Sequence, residues 1–198
     1  MVLTHAISVW YLPTKEKELR IEYSQMLHRG DKYLKVDDKI IYTKSGRQSI
    51  CGTDTIIYEG IIFNIIKKFP SDLVVSHNLR IGDQDFKDFK DQFYQKHSVW
   101  KPVVNGRQVR VLMDKDSLDV WVDGLKMDLK RSFIDSGTVS NFVLEKIPCK
   151  ILSEGAGEKR SLTHTFLVND VKIPAHVDNH NGYFEFDVTR NLRDYPTL

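Results

Sequence analysis

VRVLMDKDSLDVWVDG, residues 109–124, is the stretch that decides the fold. In residues 109–113 the odd-numbered positions are all apolar, an alternation that predicts a half-buried β-strand. A short polar turn follows. The alternation then resumes over residues 118–122, which predicts a second strand with Trp121 on the face opposite its neighbours. Asp123-Gly124 closes this strand, because the pair tolerates the positive φ angles of a tight hairpin turn.

Composition limits the class of protein. Of the 198 residues, 41% are hydrophobic and 28% are charged, proportions that are ordinary for a folded globular chain. The 29 basic and 27 acidic residues nearly cancel, so no strong overall field attracts nucleic acid or an anionic membrane. The most apolar run, Ile56 to Ile66, is interrupted by Glu59 and Asn64 and predicts no membrane span. We expect a soluble, cytoplasmic protein.

Short apolar segments separated by turn residues continue along the chain. Turns are predicted at Asp37-Asp38, Gly82-Asp83, Asn105-Gly106 and Asn169-Asp170, since these residue types accept the backbone angles of tight hairpins. The polar stretch from Ser45 to Thr55 is predicted to be a loop. Strands this short, without long helices alternating between them, predict an all-β fold of two tandem antiparallel β-sandwich domains.

One segment, from Asp83 to His97, has the spacing of a helix. Phe86, Phe89 and Phe93 are three and four residues apart, with lysine and aspartate between them. This pattern predicts a short amphipathic helix with a buried aromatic stripe, and we place a domain boundary in it. The predicted domains are residues 1–92 and 93–175, followed by a C-terminal extension, residues 176–198.

The two predicted domains contain similar short motifs. Residues 34–38, LKVDD, resemble residues 120–124, VWVDG, and residues 79–83, LRIGD, resemble residues 166–170, FLVND. The interval between the members of each match is nearly the same. A repeat on this scale indicates that one β-domain has been duplicated.

Several motifs also occur, in the same order, in a known family. Residues 114–124, residues 133–138, and residues 164–170 with Ile173-Pro174 resemble the C-terminal half of the Fas apoptotic inhibitory molecule family. Residues 9–10, 19–23 and 36–39 fit the N-terminal half of that family more loosely. The resemblance spans roughly residues 6 to 174, and the tail from His176 onward extends beyond it.

The resemblance implies two β-sandwich domains and a non-enzymatic cytosolic regulator. In animals, a protein of this family restrains death-receptor signalling and is linked to protection against stress and protein aggregation. The resemblance implies neither a cofactor nor a catalytic residue for this chain.

Three stretches superficially suggest ligand sites, and each has a simpler interpretation. Gly155 to Ser161 lacks the spacing of a phosphate-binding loop and precedes a predicted strand rather than a helix. His176 and His180 are four residues apart, but the asparagines and glycine around them disfavour a helix, and no third metal ligand is evident. The acidic residues from Asp114 to Asp119 lack the glycine and distal glutamate of a calcium loop, which favours a hairpin turn.

The cysteines and histidines form no catalytic pattern. Cys149 lies between Ile147 and Ile151 in a predicted strand, and we expect a buried, inert thiol. Cys51 lies in the predicted loop without a histidine or carboxylate arrangement that would make it a nucleophile. His164 is expected to be a core or rim histidine of its strand. We therefore predict a non-enzymatic protein with no cofactor, no bound metal and no nucleic-acid partner.

Three functions fit these observations. The first is a cytoplasmic protein-interaction module of the family named above, regulating apoptosis or stress signalling through its sheet edges, faces or loops. The second is a structural subunit of a large assembly, such as a cytoskeletal or ciliary complex, docked through the C-terminal extension. The third is a small-molecule binding protein or enzyme that uses a sandwich cleft. The predicted partner-binding residues are the aromatic residues of the extension, Tyr183, Phe184, Phe186 and Tyr195.

Overall fold

The computed structural model describes residues 5–27, 30–46, 51–68, 75–155, 162–176 and 183–185. In this part of the chain the regular elements are antiparallel β-strands and one α-helix, which confirms the predicted all-β fold with a short helix. The contacts divide the chain into two units. Unit 1 comprises residues 1–13, 18–90 and 179–198, and unit 2 comprises residues 14–17 and 91–178.

Unit 1 contains two sheets built from consecutive hairpins. The first sheet has five strands. Four of them are, in order across the sheet, β1 (His5–Pro13), β2 (Glu18–Met26), β3 (Lys32–Val36) and β4 (Lys39–Lys44), and the fifth, residues 183–185, pairs with β1. The strands of the second are β5 (Gly52–Tyr58), β6 (Ile61–Lys68), β7 (Ser76–Ile81) and β8 (Gln84–Asp85).

The two sheets of unit 1 enclose one apolar core. In β6, Phe63 and Ile65 are buried while Ile62 is exposed, as the two-residue repeat of a strand requires. Both sheets and the following helix supply the core, which consists of Trp10, Leu12, Leu19, Ile21, Tyr23, Leu34, Val36, Ile56, Phe63, Ile65, Leu79 and Phe86. This arrangement is a β-sandwich.

The predicted helix is present as α1 (Phe86–Lys96). Asp88 lies in its first turn and Lys96 in its last, where each charge complements the helix dipole. Phe86 and Phe93 are buried, so the predicted aromatic stripe is confirmed. The division between the two units falls within this helix.

Unit 2 contains two larger sheets and a separate hairpin. The first sheet has the order β14 (Leu125–Lys126), β13 (Val120–Val122), β12 (Val111–Asp114) and β9 (His97–Trp100), and β10 (Val103–Val104) pairs with β11 (Arg107–Gln108). The second sheet has the order β15 (Lys130–Ile134), β16 (Gly137–Leu144), β17 (Ile147–Gly155), β18 (Leu162–Val168) and β19 (Val171–Ile173).

The last described strand of the chain, β20 (Tyr183–Glu185), belongs to unit 1 and pairs with β1.

Aromatic rings fill the core of unit 2. The ring centroid of Phe166 lies 5.4 Å from that of Trp100 and 5.9 Å from that of Phe142, and all three residues are buried. Strands from both sheets contribute, so unit 2 is a second sandwich. Its buried core consists of Trp100, Val104, Val109, Val111, Met113, Val120, Phe142, Leu144, Cys149, Ile151 and Phe166.

The predicted turns have the backbone angles that their residues suggest. Asn105 and Gly106 have φ values of 50° and 80°, and Asp123 and Gly124 have values of 47° and 83°. Positive φ at both central residues is characteristic of type I′ hairpin turns, whose twist matches that of the flanking strands. Local sequence chemistry therefore sets the register of these hairpins.

Both units repeat one strand plan. Across the sheets, β1-β2-β3-β4 corresponds to β9-β12-β13-β14, and β5-β6-β7-β8 corresponds to β16-β17-β18-β19. The backbone N–H of Asp37 donates to the carbonyl oxygen of Arg20, whose own N–H donates to the Asp37 carboxylate. Asp123 and Arg110 make the same two hydrogen bonds in unit 2. The predicted duplication is thus visible in shared hydrogen bonding as well as in topology.

Three local predictions differ from the structure. The half-buried interpretation is wrong for β12, because Leu112 is 0% exposed and packs with Phe93 and Val99 on the face opposite the main core. The predicted loop is too long, since β5 already begins at Gly52. Leu118 has a φ of 58° and lies before β13, not within it. Tertiary packing overrides the simple alternation in β12, and a turn overrides it at Leu118.

Candidate functional site

The structure describes only part of the predicted partner-binding tail. The backbones of Tyr183 and Phe184 lie in β20, where they pair with Val9 and Ser8 of β1. Phe186 and Tyr195 lie outside the described residues. The extension therefore supplies a strand to the first sheet of unit 1, and the binding role of its aromatic side chains stays a prediction.

Strand β15 is an open edge of the five-stranded sheet in unit 2. All five of its residues are exposed, and the side chain of Phe133 is 90% exposed. Its neighbour Ile134 is 40% exposed. An edge strand presents unpaired backbone N–H and C=O groups along one side, which can hydrogen-bond to a strand from another chain. Among the described strands, β15 pairs with β16 alone, so its other side combines unpaired backbone groups with apolar side chains.

Ionic contacts hold the beginning of β15 in place. The Arg131 guanidinium donates to the carbonyl oxygen of Leu118 at 3.0 Å and to the Asp119 carboxylate at 3.1 Å. The Lys126 ammonium donates to the same carboxylate at 2.7 Å. The Lys126 hydrogen bond and the Arg131 contact lower the pKa of Asp119. These contacts tie β15 to the turn that precedes β13, while its last residues stay exposed.

A buried polar cluster lies inside unit 1 around the Asp54 carboxylate. The Lys32 ammonium contacts both carboxylate oxygens, at 2.5 and 2.7 Å, and the Lys67 ammonium contacts one of them at 3.0 Å. The Tyr23 hydroxyl donates to Asp54 at 2.6 Å. These four residues come from four strands, β2, β3, β5 and β6, and all are buried. We call them the Asp54 cluster.

Burial and hydrogen bonding shift the pKa values in the Asp54 cluster. Burial disfavours the charged form of Asp54, but hydrogen bonds from Lys32, Tyr23 and Lys67 outweigh it, so the pKa of Asp54 is lowered. Burial lowers the pKa of Lys32, against the effect of its bond to Asp54. Burial raises the pKa of Tyr23, and its hydrogen bond to Asp54 adds to this effect.

His77 and Gln25 border the Asp54 cluster. The His77 ring meets the Tyr23 ring edge-on, with 4.8 Å between the centroids, and its Nδ1 lies 2.9 Å from the Ser8 hydroxyl oxygen. Burial, together with the nearby Lys67 charge, lowers the pKa of His77 to about 4. Gln25 is 0% exposed, and neither atom of its side-chain amide has a hydrogen-bond partner among the described residues.

The cysteines and the strand histidine lie where the sequence places them. Cys149 is buried, and burial raises the pKa of its thiol, as expected for an inert core cysteine. Cys51 is exposed. His164 is partly buried, and its Nδ1 lies 2.9 Å from the Ser153 hydroxyl oxygen, so the interpretation as a rim histidine fits.

Of the three stretches that superficially suggested ligands, the one from Asp114 to Asp119 forms a turn. The Asp114 carboxylate accepts the backbone N–H groups of Asp116 and Ser117, both at 3.0 Å, and so closes its own turn. His180 and residues 156–161 lie outside the described residues. Within the described part of the chain, no group of three His, Cys, Asp or Glu side chains is placed to hold a metal ion.

Sequence reasoning missed both candidate sites. It placed Asp54 in a loop and gave no role to Phe133. A charged residue such as Lys67 among β-branched neighbours was the available signal for the Asp54 cluster, because it breaks the alternation of a buried strand face.

Among the described residues there is no helix with the length and apolar character needed to cross a membrane.

The remaining findings come from comparison with known proteins. Fas apoptotic inhibitory molecule 1 of Mus musculus is 24% identical over 175 residues, which cover 87% of this chain and 98% of the relative. The Homo sapiens protein of that name is 24% identical over 176 residues, covering 87% and 98%. The Bos taurus protein is 24% identical over 179 residues, covering 89% of each chain.

The family comparison covers most of the sequence. The family model described as Fas apoptotic inhibitory molecule matches residues 6–176. This range nearly equals the one over which the motifs of the sequence resemble that family, so the predicted resemblance is confirmed. The chain belongs to the Fas apoptotic inhibitory molecule family.

Proposed function

We propose that this chain is a non-enzymatic, cytoplasmic protein-interaction module that regulates apoptosis or stress signalling. Its ligand is an extended segment of another protein, which adds as a strand to the β15 edge of unit 2. Family membership supports the link to apoptosis, since the relatives are named as apoptotic inhibitory molecules. The geometry of β15 supports the mode of binding.

The observation that carries the proposal is the exposure of β15. Strand addition needs free backbone groups for affinity and alternating side chains for specificity, and an open edge strand offers both. Phe133 provides apolar area at 90% exposure, and Lys130 provides an exposed positive charge. A partner segment with an aromatic or branched residue next to an acidic one would complement this edge.

Two further features make β15 suitable for binding. The contacts of Arg131 with Leu118 and Asp119 fix the strand before any partner arrives, which reduces the entropy lost on binding. In the described residues, the corresponding four-stranded sheet of unit 1 has no strand in the position of β15. The edge is therefore an addition to the repeated plan and not a requirement of it.

A cell-death assay with matched surface variants tests the proposal. Cells expressing the wild-type chain are treated with Fas ligand, and caspase activation is measured against cells expressing Phe133→Ser. The control is Val171→Ser, because Val171 is 64% exposed on β19, the opposite edge of the same sheet. We expect Phe133→Ser to lose protection and Val171→Ser to retain it.

A photo-crosslinking measurement connects the phenotype to the edge. Benzoylphenylalanine placed at position 133 should give a discrete crosslinked product in treated cells, whereas the same residue at position 171 should not. Full protection by Phe133→Ser, or equal crosslinking from both edges, would show that β15 is not the binding site.

A further inference from the structure

The Asp54 cluster has an unbalanced charge. It contains two ammonium groups, on Lys32 and Lys67, and one carboxylate, on Asp54. Among the described residues, no carboxylate other than Asp54 lies within ion-pair distance of Lys32 or Lys67. His77 is neutral near pH 7, because its pKa is about 4, and so it does not change the balance. Buried charge that lacks a counter-ion is strongly unfavourable.

Unused hydrogen-bonding groups point into the same region. Gln25 lies directly opposite Lys32 in the register of β2 and β3, so the two side chains share one face of the sheet. Tyr23 lies two residues before Gln25 on that face. The Gln25 amide can donate through its NH₂ group and accept through its oxygen, and neither atom has a partner in the described chain.

The repeated strand plan shows that the sandwich does not need these charges. The register that pairs Ser8 with Tyr23 in unit 1 pairs Ser98 with Met113 in unit 2. Counting from the corresponding hairpin turns, Asp54 is matched by Ser140. Neutral side chains therefore occupy the positions of Tyr23 and Asp54 in a sandwich of the same topology.

The Lys67 side of the Asp54 cluster also differs between the two units. Lys67 pairs with His77 across β6 and β7, and Ser153 pairs with His164 across β17 and β18. The histidine is present in both units, whereas the ammonium group is present only in unit 1 of this comparison. Unit 2 also has a positive charge near its histidine, on Lys115 at the position that matches Gln25. The set of two lysines around a buried aspartate is a feature of unit 1, which indicates a role other than holding two sheets together.

We propose that the Asp54 cluster binds a small oxyanion that carries both a negative oxygen and an O–H group, as hydrogen phosphate and hydrogencarbonate do. The anion supplies the missing counter-charge for Lys67 and accepts hydrogen bonds from Lys67 and from the Gln25 NH₂ group. Its O–H donates to the Gln25 carbonyl oxygen. Asp54 holds Lys32 and Lys67 in place and is not itself a ligand.

Thermal unfolding with added anions tests this proposal. The melting temperature of the wild-type chain is measured with sodium phosphate, sodium hydrogencarbonate and sodium sulfate at equal ionic strength. Sulfate lacks an O–H near neutral pH and reports the general stabilisation of folded proteins by such salts. We expect phosphate or hydrogencarbonate to raise the melting temperature more than sulfate does, and which one does so identifies the anion.

Variants separate the site from the fold. Gln25→Leu should weaken the anion effect by about tenfold in apparent dissociation constant, since it removes both amide contacts. Lys67→Met should abolish it. Lys150→Met is the matched control, because Lys150 pairs with Asp170 at an exposed position of unit 2 and should keep the full effect.

A measurement on the wild-type chain tests the proposal even if the variants fail to fold. The ¹⁵N resonances of the lysine side chains report whether each amine is charged, and those of Lys32 and Lys67 should both be ammonium signals that shift when the stabilising anion is added. The proposal is overturned if no anion exceeds sulfate. It is also overturned if Gln25→Leu responds like wild type, or if either lysine is neutral whether or not anion is present.

Discussion

Replacement of Asp54 by asparagine tests the ion pairs that the structure places inside unit 1. The carboxylate accepts two hydrogen bonds from Lys32, one from Lys67 and one from Tyr23, at 2.5 to 3.0 Å. The side chains of Lys32, Asp54 and Lys67 are at most 9% exposed, so solvent screens their interaction weakly. Removing one partner of a buried ion pair costs about 3–5 kcal/mol. We expect Asp54→Asn to lower the free energy of unfolding by about that amount.

The same variant should respond to pH in a defined direction. Without the carboxylate, the Lys32 ammonium, whose pKa burial already lowers, loses its proton more easily than a lysine of the unfolded chain, whose pKa is near 10.4. The unfolded state then binds more protons than the folded state as pH rises, and this stabilises the folded variant. The deficit relative to wild type should therefore narrow between pH 7 and about pH 9.5.

Urea unfolding followed by tryptophan fluorescence provides the measurement. Asp170→Asn is the control, because the Asp170 carboxylate contacts Lys150 at 2.5 Å but is 80% exposed. Its loss should cost less than about 1 kcal/mol. A cost for Asp54→Asn that is no larger than that of Asp170→Asn would refute the reasoning, as would a deficit that grows with pH.

Three other predictions concern the core of unit 2, the close packing of Gly137 against the backbone of Ser153, and the buried His77. Phe166→Ala should cost about 3–5 kcal/mol in urea unfolding, because the ring is fully buried in the unit 2 core; a cost below about 1 kcal/mol would contradict that placement. Gly137→Ala should lower the melting temperature, since its Cβ would lie 2.0 Å from the Ser153 carbonyl oxygen, whereas Gly155→Ala, with nothing within 4 Å, should not. The free energy of unfolding should fall by about 3 kcal/mol through His77 as pH falls from 6.5 to about 4, because this histidine takes up its proton at a higher pH in the unfolded chain than in the folded one. A His77→Gln stability curve parallel to that of wild type over this range would rule the effect out.

The duplicated plan suggests how the two units came to differ. Their sheets share strand order, register and the hydrogen-bond pair made by Arg20 with Asp37 and by Arg110 with Asp123. Unit 1 carries the buried charges of the Asp54 cluster, and unit 2 carries the extra edge strand β15. Each unit thus keeps the scaffold and adds one feature that the scaffold does not require, which is where we place the two proposed binding roles.

The sequence by itself determined the local structure. Asn105-Gly106 and Asp123-Gly124 specify their turns because Asn, Asp and Gly accept positive φ, and the spacing of Phe86, Phe89 and Phe93 specifies α1. Short alternating segments between such turns leave an antiparallel all-β fold as the consistent architecture. The motifs of residues 114–124 were distinctive enough to indicate the family that the comparison later confirmed.

The tertiary structure alone decided what covers each face and which distant residues meet. Alternation assigns Leu112 and Phe133 to faces of their strands, but the first is fully buried and the second is 90% exposed. That difference depends on whether another layer packs there, which a two-residue repeat does not encode. Lys32, Asp54 and Lys67 lie on three strands of two sheets, so their contact follows from sheet packing across the sandwich. Both candidate sites therefore came from long-range packing, which no local pattern of residues specifies.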